Sequence, residues 1–188
     1  MKYLIFTLVF TLSALTTVNS RQTYSDQQFK QEFLDNINRT RAKGCKCGIT
    51  RMPPAAPLVW NEQLEKAAIG HAIDMANKDY FSHTSKDGRT SFDRIENTGY
   101  THKGYRSFAV GENIAQGQES IAEVMAGWFK SEGHCRNLMN TDFKEVGAAT
   151  YNTYWVQDFG GREAFSTEMQ KMIKSGKVKI IQRSVPAQ

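Results

Sequence analysis

The sequence predicts an α+β fold, and two observations carry that prediction. Amphipathic helical patterns fill much of the chain's first half, at 25–41 and 61–78. Two short apolar segments then meet at Asn152, near the end of the chain. Helices first and a hairpin late is the order of a segregated α+β domain, not of a parallel βαβ repeat. The chain has 188 residues, 40% of them hydrophobic and 11% aromatic, which suits one domain with its own core.

The first helix starts at Ser25, a good cap, and places Phe29, Phe33, Leu34 and Ile37 on one face as far as Arg41. Asn38-Arg39-Thr40 within it matches a glycosylation sequon. Residues 44–57 read as a loop, because Pro53-Pro54 excludes helix. A second helix runs from the cap Asn61 to Lys78, with Leu64, Ala67, Ala68, His71, Ala72 and Met75 facing inward. On that apolar stripe His71 is expected to be a hydrogen-bonded core histidine. Residues 79–105 are irregular, with a turn at Asp87-Gly88 and a short helix at 91–96. A strand is predicted over 108–114. A capping box at Ser120-Ile121-Ala122-Glu123 starts a third long helix, which runs to Phe129. Segments 145–151 and 153–159 form the hairpin around Asn152.

The first twenty residues stand apart. Lys2 precedes an apolar run from Tyr3 to Leu15, and Val18-Asn19-Ser20 offers a cleavage point before Arg21. This is the pattern of a secretory signal peptide over 1–20, too short an apolar run for a membrane span. Secreted, extracellular or periplasmic localisation is therefore expected, with the main domain over 21–160. Beyond it, 161–188 forms a basic tail in which Arg162, Lys171, Lys174, Lys177, Lys179 and Arg183 oppose only Glu163 and Glu168. That tail and Lys2 account for the chain's net charge of +5 and leave the body near neutral. A nucleic-acid groove is thus not expected. Phe165, Met169, Met172 and Ile173 within the tail could form a short helix.

Export permits disulfides among Cys45, Cys47 and Cys135. Cys45 and Cys47 are too close to bridge each other comfortably. One of them joined to Cys135 closes a loop of about ninety residues, worth roughly 4 kcal/mol on the chain-entropy model. The remaining cysteine is odd. A Cys-x-Cys zinc site is the rival reading, weakened by the lack of a second pair.

The chemistry concentrates in His83, Glu112 and His134, each beside a small residue: Ser82, Gly111 and Gly133. Two imidazoles and a carboxylate make a three-ligand set that leaves zinc an open position. The chain carries neither Gly-x-Ser-x-Gly nor His-Glu-x-x-His, which weakens a hydrolase reading.

Four pieces resemble the CAP superfamily of cysteine-rich secretory, antigen 5 and pathogenesis-related proteins, in its bacterial branch. They are Tyr80-Phe81-Ser82-His83, Gly111-Glu112-Asn113-Ile114, Trp128 with Gly133-His134-Cys135-Arg136-Asn137, and Tyr154-Trp155-Val156-Gln157. The resemblance implies a three-layer α–β–α sandwich with a small antiparallel sheet. It also implies a cleft tetrad of two histidines and two acids: His83, Glu112, His134 and, one residue past the register position Ser131, Glu132. His83 and His134 are the expected ligands of Zn2+ or another divalent cation. The implied partner is a small or lipid-like ligand or a cell-surface component, and the alternative is an extracellular hydrolase. The expected disulfide is Cys47–Cys135, with Cys45 as the other possible partner.

Overall fold

The computed structural model describes residues 25–180. The expected signal peptide and the last eight residues of the basic tail lie outside that range. The helices are α1 (Asp26–Lys43), α2 (Glu62–Lys78), α3 (Ser91–Asn97), α4 (Ile121–Lys130), α5 (Glu132–Met139) and α6 (Thr167–Lys174). The strands are β1 (Cys45–Cys47), β2 (Thr50–Met52), β3 (Val59–Trp60), β4 (Tyr105–Gln116), β5 (Glu145–Tyr151) and β6 (Tyr154–Ala164).

The termini of the helices follow from their caps. Ser25 and Gln28 form a reciprocal capping box on α1, and the Asn61 side chain accepts from the amides of Gln63 and Leu64 on α2. Ser120 accepts from Glu123 at the start of α4. Asn152 and Thr153 turn between β5 and β6 with φ of 47° and 64°. Asparagine tolerates this left-handed region better than most residues, which places the hairpin where the sequence predicts it.

The main sheet has the order β3-β5-β6-β4. β6 pairs antiparallel with both β5 and β4, whereas the two-residue β3 lies parallel to β5. The sheet is therefore mixed at one edge rather than purely antiparallel. Its central strand, β6, is buried without interruption from Tyr154 to Gly161 and continues to Ala164, beyond the expected boundary at 160.

Three layers result. On one face α2 packs Ala68, Ala72 and Met75 against Ile114, Ala149 and Val156. Leu64 and Ala67 meet Ile95 and Tyr100 beside them. On the other face α1, α4 and α5 contribute Phe33, Ile37, Ile121, Val124, Met125, Trp128 and Leu138 to a core with Val146, Trp155 and Phe159. The α2 face is built on small residues. A Cβ on Gly147 would fall 2.0 Å from the Glu65 backbone nitrogen, so only glycine lets α2 sit this close to β5.

Several local expectations are corrected. Residues 44–57 are not wholly loop, because β1 and β2 form a small hairpin there. β4 extends beyond 108–114 at both ends, since its antiparallel partner β6 is long. The Gly133–Asn137 stretch, beyond the predicted end of the third helix at Phe129, lies inside a separate helix, α5. The sequon residue Asn38 spends its amide on Leu58, donating to its carbonyl at 2.9 Å and accepting from its N–H at 2.8 Å. Arg41, the last residue of the predicted first helix, is fully buried. It donates to the carbonyls of Ala56, Leu138 and Asn140 at 2.7, 2.7 and 3.0 Å, joining α1 to the segment after α5. Burial without a carboxylate partner lowers its pKa to about 10. Within the tail, α6 forms but buries none of its residues. No helix among the described residues is long and apolar enough to cross a membrane.

Candidate functional site

A cleft of about 580 Å³ runs along the free edge of β4. Ile114, Ala115 and Gln116 of β4 form one wall, and Val124, Gly127 and Trp128 of α4 form another. Phe81, Ser82 and His83 close it from the loop after α2, and Ser131 and His134 close it at the junction of α4 and α5. Each side chain is delivered by a different element. Strand alternation alone puts Ile114 and Glu112 on the same face of β4. His134 points inward because α5 restarts after the break at Ser131, whose extended backbone (φ −80°, ψ 124°) separates the two helices.

The sheet edge and the loop are tied through the buried Arg94–Glu112 ion pair. His83 Nδ1 lies 2.7 Å from one Glu112 oxygen, and Arg94 Nη2 donates to the other at 2.5 Å. Arg94 also donates to the His83 carbonyl at 3.0 Å and to Ser85 Oγ at 3.1 Å, so one guanidinium fixes both the carboxylate and the loop that carries His83. The Glu112 side chain is 2% exposed, whereas that of His83 is 57% exposed. Glu112 thus orients His83 from below, and His83 keeps Nε2 for a ligand. His134 has its pKa lowered by burial and, secondarily, by the positive charge His83 would carry. It is therefore a neutral imidazole at neutral pH.

Three of the four expected tetrad residues meet in this region. His83 and His134 line the cleft and Glu112 holds His83. Glu132 is not brought to them. Its carboxylate accepts from Arg136 at 2.6 Å, one helical turn on, and packs against Gly48 of the β1–β2 hairpin on the outer side of α5. The roughly 100° turn between neighbouring helical positions accounts for this. Ser131, the residue in register, lines the cleft instead. Cys47 is bonded to Cys135, and Cys45 is free.

Two functional neighbours escaped the sequence reading. Nothing in the sequence sets Arg94 apart from any other charge on a short helix. Asp158 sits in the middle of β6, directly opposite Glu112 in the antiparallel register, and is completely buried. Neither Asp158 oxygen has a donor among the described residues. Burial, and then the Glu112 carboxylate, push its pKa well up, with Arg94 opposing. Burial and the neighbouring Glu112 carboxylate thus favour the protonated form of Asp158. The one available signal was an acidic residue inside the apolar run Trp155-Val156-Gln157-Asp158-Phe159. His71 completes the cluster, buried, with Nε2 2.9 Å from the Ser82 carbonyl and Nδ1 unpartnered among the described residues. Burial lowers its pKa most, so it too is neutral. On the opposite face of β4, Asn113 donates to Gln157 at 3.2 Å and to the His134 carbonyl at 3.3 Å, which positions α5 against the sheet.

The fold that carries this cleft is shared with known proteins. The profile of the cysteine-rich secretory protein (CAP) family matches residues 34–159. The chain belongs to the CAP family. It is 36% identical over 149 residues to the uncharacterized protein YkwD of Bacillus subtilis (strain 168), a match covering 78% of this chain and 52% of YkwD. The chain therefore spans about half the length of that relative. An extracellular protein containing an SCP domain from Bacillus anthracis superposes with a TM-score of 0.56 at 29% identity, over 73% of this chain and 44% of that one. An outer surface protein of Borrelia burgdorferi superposes with a TM-score of 0.59 over 74% of this chain and 97% of that one, and at 23% identity it shows the shared fold alone. The α+β sandwich expected of a CAP domain is the observed fold.

Proposed function

We infer that this CAP domain acts outside the cell as a binding module. Its cleft would take a lipid-like or cell-surface ligand and could hold a divalent cation such as Zn2+ on His83 and His134. The observation that carries this reading is the pairing of two cleft-lining imidazoles with an apolar wall. Ile114, Val124 and Trp128 supply apolar surface to the same cleft that His83, Ser131 and His134 line. A secreted location agrees with the leader-like segment at 1–20 and with the printed description of the Bacillus anthracis structure as an extracellular protein.

The donor set fits a cation only in part. His83 is oriented by a buried carboxylate, as metal-bound histidines commonly are. Burial holds His134 in the neutral form that metal ligation needs. Glu112 is not a third ligand, because both its oxygens are engaged. When bound, a cation would supply a Lewis-acidic anchor for an oxygen of the ligand. The protein's own residues do the rest: Arg94 fixes Glu112, Glu112 fixes His83, and Trp128 and Ile114 exclude water from the apolar part.

Calorimetric titration with zinc near neutral pH tests the cation. Wild type should give saturable heat, and His83→Ala and His134→Ala should each reduce it. No zinc heat in wild type removes the metal from the reading. The hydrolase alternative draws on the base–orienter geometry of His83 and Glu112, with Ser131 in the same cleft. Turnover of a peptide or ester panel that is abolished in His134→Ala would establish it in place of simple binding.

A further inference from the structure

The sulfur cluster lies apart from the cleft. β1 carries Cys45 and Cys47 two residues apart, so both side chains leave the same face of the strand, towards α5. Cys47 is bonded to Cys135. The free Cys45 sulfur lies 3.7 Å from the Cys135 sulfur and 3.9 Å from that of Cys47. A free thiol in contact with both sulfurs of a disulfide lies beside the bond, and a side-chain rotation that brings it onto the S–S axis makes it the attacking nucleophile.

We propose that Cys45 is an internal exchange nucleophile that moves the bridge between Cys47–Cys135 and Cys45–Cys135. In the forward step the Cys45 thiol loses its proton to solvent and its sulfur bonds to the Cys135 sulfur. The Cys47–Cys135 bond breaks, the electron pair leaves on Cys47, and Cys47 takes up a proton. One disulfide and one thiol stand on each side, so no oxidant or reductant is consumed. Either pairing ties the same strand to α5, and the exchange needs only side-chain rotation within β1.

The surroundings set the rate. Cys45, like Met52 and Phe129, packs against the buried cluster of Cys47, Cys135 and Met139, and burial raises the pKa of its thiol. Lys46 points to the other face of β1. The Glu132–Arg136 pair meets the hairpin at its turn end, through Gly48 and Thr50. The thiolate is therefore scarce at neutral pH, and exchange accelerates as pH rises. Because Cys135 follows His134 directly on α5, the pairing changes the tether beside a cleft residue.

The sequence supplies its own assay. Trypsin cuts after Lys43, Lys46, Arg51, Lys130 and Arg136, so Cys45, Cys47 and Cys135 fall in separate peptides, 44–46, 47–51 and 131–136. The oxidised full chain, held without added thiol, is quenched at intervals with acid and a maleimide and then mapped by mass spectrometry. The expected result is a shift of linkage from 47–51/131–136 towards 44–46/131–136. The shift should be faster at alkaline pH and unchanged in rate on dilution. A single linkage at every pH and time, or a shift that slows on dilution, overturns the proposal. Cys47→Ser should carry the 44–46/131–136 bridge in full, and a free Cys135 thiol in that variant counts against it. The wild-type time course does not depend on the variant folding.

Discussion

Asp158 gives the sharpest prediction, and Asp158→Asn is the perturbation. In the native protein burial and the Glu112 carboxylate keep the Asp158 carboxyl protonated far above the ordinary aspartate range. In the unfolded chain the same group ionises near 3.9. Between that value and the native pKa, the native state holds one proton more than the unfolded state. Stability must then fall as pH rises, by about 1.4 kcal/mol per pH unit from this one group. Asparagine keeps the shape but has no proton to lose. The variant should therefore lack this component of the slope and should exceed wild type in stability at neutral pH. The Glu112–Arg94 pair is common to both proteins and cancels in the difference. Urea denaturation at a series of pH values from about 4.5 to 8 measures it. Parallel stability curves for the two proteins would refute the reasoning, since they would mean that Asp158 is ionised in the fold. So would an Asn variant less stable than wild type at neutral pH.

The other predictions concern the same architecture. Arg94→Met leaves Glu112 buried without its cation and should cost about 3–5 kcal/mol, or roughly 10–15 °C in Tm, by thermal denaturation. Gly147→Ala drives a methyl into the Glu65 backbone and should cost more than about 3 kcal/mol, read as loss of soluble folded protein or of cooperative unfolding. The lowered pKa of His134 means that its imidazole should take up a proton only at lower pH than an ordinary histidine. An NMR titration of the His134 ring protons checks this, and a midpoint in or above the ordinary histidine range would contradict it.

The corrections share a physical cause. Helix periodicity and capping are local, so α1, α2 and α4 were legible to within a residue or two of their ends. The β5–β6 hairpin was legible for the same reason. The extent of β4 was not, because a strand runs as far as its partner pairs with it. α5 was missed because its eight residues gain their stability from Cys135, Leu138 and Met139 packing inward, a tertiary effect. Glu132 shows the limit for a site. Its place in the chain beside His134 was right, but its direction was set by the helix that begins at it.

The sequence by itself determined the α+β class, the main helices, the hairpin, and His83, Glu112 and His134 as the residues worth bringing together. Period, caps and composition are properties of neighbouring residues, and they survive without knowledge of the fold. Only the tertiary structure decided which side chains share the site. It put Arg94 beneath Glu112 and Asp158 across from it, and it turned Glu132 out to Arg136. It also bonded Cys47 to Cys135 and left Cys45 against them. Those outcomes depend on strand register, helix phase and burial, which bring together residues far apart in the chain and change their proton affinities once they meet.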